Sequence, residues 1–87
     1  MDKIVSIISK KESEIKVYLE RRKFGKPVTV ITGFDEDSDI KKIASDLKNA
    51  LACGGTAKKG RIELQGDHRR TIRPVLEKLG FKRIIII

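Results

Sequence analysis

The residue types that most often carry chemistry are sparse in this chain. His68 is the only histidine and Cys53 the only cysteine. A nucleophile with its base, or a tetrahedral metal site, needs such groups in company. Cys53 falls late in an apolar periodic stretch beside Gly54-Gly55, where a small packed thiol is expected. His68 follows Asp67 and is expected at the surface, in the first turn of a helix. Asp35, Glu36, Asp37 and Asp39 crowd together without the central glycine and terminal glutamate of a calcium loop. They suit the positive end of a helix dipole instead. Gly54-Gly55-Thr56 is no phosphate loop, since that pattern runs G-x-x-x-x-G-K-[ST] into a helix. No catalytic residue, metal ligand set or cofactor is therefore expected.

Positive charge is what the chain concentrates. Lys and Arg number 20 against 12 Asp and Glu, a formal net charge of +8. Such an excess points to a polyanionic partner, nucleic acid first of all. Arg21, Arg22, Lys23 and Lys26 set four cations in six residues, with Phe24 and Gly25 among them. Phosphates would neutralise the self-repulsion of such a cluster. Phe24 can either stack on a base or pack back on its own strands. Lys58, Lys59 and Arg61 form a second basic cluster, and Arg69, Arg70 and Arg73 a third. Lys41 and Lys48, seven apart, share one flank of a helix. There is no long recognition helix, so phosphate or RNA-shape binding is expected over base-specific readout.

These clusters fall on recognisable elements. Ile15, Val17 and Leu19 alternate with Lys16, Tyr18 and Glu20, the period of a half-buried strand. Val28 to Thr32 is a second, β-branched strand, which makes Arg21–Lys26 a basic hairpin tip. Ile40, Ile43, Ala44, Leu47 and Leu51 form one apolar helical stripe, with Asp37 or Ser38 as cap and Gly54 as its left-handed end. Thr56-Ala57 and Ile62 to Leu64 make a second hairpin whose tip is Lys58–Arg61. Asp67 is expected to cap a second helix carrying Ile72, Val75, Leu76 and Leu79, on which Arg69, Arg70 and Arg73 would share one polar quadrant. Pro74 kinks that helix if it starts at His68 and is tolerated if it starts at Thr71. Phe81 and Ile84 to Ile87 close the sheet. The expected fold is α+β, a two-layer α/β sandwich in which two helices cover one face of a mainly antiparallel sheet, in the order β-β-α-β-β-α-β. Residues 1–13 read as a loosely attached arm and 14–87 as one domain, consistent with an 87-residue chain. No stretch is long and apolar enough for a signal peptide or a membrane span, so a cytoplasmic protein is expected.

Several of these residues resemble a known family. Phe24-Gly25-Lys26, Thr29, Gly33-Phe34, the run Leu51 to Thr56, Gly60 and the run Ile62 to Arg69 are similar to translation initiation factor 1 of archaea and eukaryotes. The resemblance extends from about Ile15 to Phe81. It implies a non-catalytic, monomeric protein that binds rRNA of the small ribosomal subunit near the decoding site. Messenger RNA, initiator tRNA and other initiation factors would lie nearby, and the factor would promote accurate start-codon selection. The basic tip Arg21–Lys26 would reach the decoding region, and Lys58–Arg61 would face initiator tRNA. Lys41, Lys42 and Lys48 would add rRNA contacts. Lys59 stands where the family often has an acidic residue, and the N-terminal cysteine pair common in archaeal relatives is absent. Two other readings compete: a general RNA-binding module or RNA chaperone, and a small phosphate-handling enzyme of acylphosphatase-like fold. The second fold runs β-α-β-β-α-β and needs a glycine-rich loop beside an arginine, whereas this chain opens with a basic hairpin.

Overall fold

The computed structural model describes residues 13–87. Residues 1–12, nearly all of the expected arm, lie outside the described residues. Ser13 donates a hydrogen bond from Oγ to Asp35 Oδ2 at 2.9 Å.

The chain forms β1 (Glu14–Arg21), a 3-10 turn (Lys23–Gly25), β2 (Pro27–Thr32), α1 (Ile40–Leu51), β3 (Gly55–Lys58), β4 (Arg61–Gln65), α2 (Ile72–Lys78) and β5 (Arg83–Ile86). The 3-10 turn inside the first hairpin is absent from the order read off the sequence. The five strands make one mixed sheet in the order β3-β4-β2-β1-β5. Three pairings are antiparallel, while β5 lies parallel to β1. α2 supplies the crossover that brings the chain back to β5 in that sense.

Alternation in the strands sorts the sheet into two unlike faces. Ile15, Val17, Ile31, Ile62, Leu64 and Ile84 form one cluster with Ile43, Ala44 and Leu47 of α1 and Ile72 and Leu76 of α2. Phe81 completes that cluster and meets Phe34 edge to face, with ring centroids 5.6 Å apart. The other face carries Tyr18, Val30 and Glu63, which stand in register across β1, β2 and β4. No helix covers it among the described residues.

Several local expectations change. Asp39, not Asp37 or Ser38, caps α1: its Oδ1 accepts from the Lys42 backbone N–H at 3.2 Å. The left-handed residue ending α1 is Ala52, with φ +52°, not Gly54. Gly55 serves the close approach of β3 to β4, because a Cβ there would lie 2.5 Å from the Glu63 carbonyl oxygen. Asp67 does not cap α2, which follows Thr71 with no side-chain cap. Pro74 is the third residue of α2, in the first turn, where its missing N–H has no helical partner to lose. Phe81 precedes β5 and packs in the core instead of pairing as a strand.

Candidate nucleic-acid interface

The first hairpin is built to hold its tip in one shape. Arg21 pairs with Pro27 across the strand ends, and five residues close the loop. The Arg22 N–H donates to Lys26 O at 2.8 Å, and the Gly25 N–H donates to Arg22 O at 2.9 Å. Phe24 and Gly25 both take positive φ, +63° and +72°. Phe24 is thereby turned away from the strands and is 96% exposed. Of the two roles its sequence context allowed, packing back on the hairpin is not the one adopted. Lys23 and Lys26 flank it, exposed and without an ion pair among the described residues. Arg21 is exposed as well, its Nη1 donating to Gly25 O at 3.2 Å.

Arg22 differs from its neighbours. Its guanidinium donates to Glu20 Oε1 from Nε at 3.1 Å and from Nη2 at 2.6 Å. Nη2 also reaches Glu63 Oε2 at 3.1 Å. Glu63 is only 6% exposed and lies on the face of the sheet away from α1 and α2. Arg61 Nη2 approaches the same Oε2 at 2.6 Å, and Lys58 Nζ stands 3.8 Å from Oε1. A buried carboxylate is tolerated only with such partners. Hydrogen bonding from Arg22 is the main cause that holds the Glu63 carboxyl below its ordinary range, with Lys58 and Arg61 adding to it.

The second hairpin turns through Lys59 and Gly60 alone, at φ +48° and +77°, between the paired Lys58 and Arg61. Two consecutive left-handed residues match the twist of the strands they join, and Gly60 takes this conformation without strain. Lys59 is exposed at the apex.

The two tips do not share one end of the sheet. Thr29 stands opposite Leu64 and Ile31 opposite Ile62, so Arg61 lies toward the end of β2 far from the first tip. The first tip instead neighbours the loop after β4, where the Gly66 N–H donates to Pro27 O at 3.0 Å. Buried Thr29 fixes that loop by donating from Oγ1 to Gly66 O at 2.7 Å and accepting from the His68 N–H at 2.9 Å. His68 Nε2 lies 2.6 Å from Gln65 O. A carbonyl only accepts, so Nε2 carries the hydrogen, and the ring is a brace within the loop.

Arg69 and Arg70 precede α2, so with Arg73 they do not form one quadrant of that helix. The Arg69 side chain makes two bonds to Asp67, Nε to Oδ1 at 2.9 Å and Nη2 to Oδ2 at 2.8 Å, its backbone N–H donates to the same Oδ1 at 3.2 Å, and its Nη1 donates to Ile87 O. Hydrogen bonds from the Arg69 side chain and backbone hold the Asp67 carboxyl down at about 2, and Arg21 lies near enough to contribute. Arg70 is exposed beside a shallow groove shared with Ile86 and Ile87. Arg73 donates to Ile84 O at 3.2 Å and so ties α2 to β5.

Lys41 and Lys48 stand on α1, in the layer across the sheet from Glu63. One broad cationic plane is therefore not formed. Cations of the first tip and of Arg69 and Arg70 gather at one end, and those of the second tip at the other. Cys53 is half-buried against the core, and burial pushes its thiol up, away from the reactive thiolate. No group of His, Cys, Asp and Glu among the described residues could hold a metal ion. No helix among them is long and apolar enough to cross a membrane.

Sequence comparison gives this geometry its context. A family profile described as "Translation initiation factor SUI1" matches residues 11–82. A protein translation factor SUI1 homolog of Pyrococcus horikoshii is 54% identical over 80 residues, spanning 91% of this chain and 81% of that protein. The homolog of Methanococcus maripaludis is also 54% identical, over 91% of this chain and 78% of its own. That of Thermococcus gammatolerans is 52% identical, over 91% and 82%. The matched family is SUI1, which corrects the initiation factor 1 name that the resemblance carries. The chain belongs to the SUI1 family of translation initiation factors.

Proposed function

We propose that this initiation factor docks on the small ribosomal subunit near the decoding site and promotes accurate start-codon selection. The observation that carries this reading is the first hairpin tip. A fixed turn projects Phe24 almost wholly into solvent between Lys23 and Lys26, which have no ion pair among the described residues. The lysines attract rRNA phosphates while the ring stacks on a base or ribose. A stiff projection beside the codon–anticodon duplex accepts one geometry and collides with others, so wrong pairings are penalised.

Arg21, Gly25, Arg69 and Arg70 belong to the same end and extend that contact. Lys58, Lys59 and Arg61 face initiator tRNA from the opposite end. Lys41 and Lys48 make secondary rRNA contacts from the helix layer. The protein acts as a monomer in the cytoplasm beside mRNA and other initiation factors, without catalysis and without a cofactor.

Binding to isolated small subunits and to duplex RNA, compared at physiological salt, separates this role from that of a general RNA-binding module. Clear preference for the subunit is expected. Equal affinity for both would favour the general module.

A further inference from the structure

Arg22 sits in the most basic stretch of the chain, yet its guanidinium is spent on the protein's own carboxylates. Two of its nitrogens face Glu20, and one of these also reaches Glu63, 41 residues away. Its backbone N–H and carbonyl both close the tip, to Lys26 and from Gly25. The same residue therefore shuts the loop and fastens it to β4. On the other side, Glu63 takes Arg61 and Lys58 from the second hairpin. One buried carboxylate thus ties together cations that arrive from opposite ends of the sheet. A phosphate that recruited Arg22 would have to leave Glu63 buried with fewer partners, which is costly.

We propose that Arg22 is a positioning residue and not an rRNA contact. With Glu63 of β4 as its anchor, it clamps the first hairpin to the sheet and sets the direction in which Lys23, Phe24 and Lys26 project. Glu63 is the shared fastening point of both hairpins. The functional part of this inference rests on the proposed role of the tip, whereas the clamp itself is a property of the free protein.

Two readouts keep these apart. The first is the backbone order of residues 23–26 in the free protein, from NMR relaxation. In the native chain the tip should be ordered, near S² ~0.85, and in Arg22→Ala it should fall toward ~0.6 or below. Glu63→Gln keeps the side-chain shape and loses the charge, and should loosen the same residues. The double variant should be no looser than the more affected single one, because both changes open one clamp. The second readout is the salt dependence of small-subunit binding. Lys23→Ala should lower the log–log slope by roughly 0.7–0.9, as loss of one phosphate contact does. Arg22→Ala should weaken binding while leaving the slope at the native value.

An unchanged tip order in both Arg22→Ala and Glu63→Gln overturns the clamp. A slope lowered by Arg22→Ala as much as by Lys23→Ala also overturns it and makes Arg22 a direct contact. An unchanged slope in Lys23→Ala, with the tip loosened as expected in the clamp variants, leaves the clamp standing and refutes the proposed role of the tip. Far-ultraviolet circular dichroism of Glu63→Gln checks that the fold is kept. If it is lost, Arg22→Ala, which leaves Glu63 its Arg61 and Lys58 partners, decides alone.

Discussion

Replacing Phe24 with glycine should make the protein more stable and a poorer ligand of the small subunit. Phe24 holds φ +63° and ψ +25°, the left-handed region. A residue with a side chain costs about 1–2 kcal/mol there. Glycine removes that cost but has more freedom in the unfolded chain, which returns about 0.5–1 kcal/mol. With the side chain 96% exposed, almost no apolar burial is lost. The balance is a gain of about 0–1.5 kcal/mol, and for a domain of this size each kcal/mol raises Tm by about 4–8 °C. Loss of one stacked aromatic should cost binding about 1–3 kcal/mol, or roughly 5- to 150-fold in Kd. Phe24→Ala separates the two effects, since it deletes the ring and keeps the strain. Phe24→Asn tolerates the left-handed backbone without adding a second glycine to the tip. Urea denaturation and filter binding to isolated subunits measure both quantities. Destabilisation of Phe24→Gly by more than about 1 kcal/mol would refute the exposed, strained tip. Unchanged affinity in all three variants would refute stacking.

Other outcomes follow from the core and its edges. Leu47→Ala removes a fully buried side chain of α1 and should cost about 2–5 kcal/mol in urea denaturation. Gly55→Ala places a Cβ against the Glu63 carbonyl oxygen and Leu64, so β3 must shift from β4; a loss of about 1–3 kcal/mol is expected, with Gly60→Ala, whose site is open but left-handed, costing about 1 kcal/mol. Asp39→Ala deletes the α1 cap and should cost about 0.5–2 kcal/mol. Asp67 has its carboxyl lowered in the folded state, so its contribution is present above the ordinary aspartate range near 3.9 and is lost as pH falls toward about 2. Asp67→Asn should therefore flatten the stability profile between about pH 4 and 2, modestly, because the pair with Arg69 is exposed to solvent.

Local periodicity made much of this fold readable. The β-branched run from Val28 to Thr32 and the single stripe of α1 each bury one side, so their patterns survive in the chain. The basic residues between Arg21 and Lys26 were visible as a tip because strands bracket them. What stayed hidden depends on partners distant in sequence. Gly54-Gly55 looks like a helix stop, yet β4 is the reason Gly55 has no side chain, and Ala52 makes the left-handed turn. Charge counting treats Arg22 and Lys23 alike, whereas only Arg22 lies within reach of Glu63. Arg69 and Arg70 appeared helical because Asp67 is a common capping residue; in the fold Asp67 holds Arg69 ahead of the helix. The parallel pairing of β5 with β1 leaves no local trace, since the same isoleucines would suit an antiparallel edge.

Directed cleavage from the tip tests the central claim most directly. Cys53→Ser with Lys26→Cys gives one attachment point on the first hairpin for a hydroxyl-radical source. Bound to small subunits, the tethered source should cut rRNA strands that line the decoding site, while the same source at Glu77→Cys on the exposed side of α2 should cut elsewhere or not at all. Cleavage from position 26 confined to rRNA remote from the decoding site, or none in a complex that still forms, would contradict the claim.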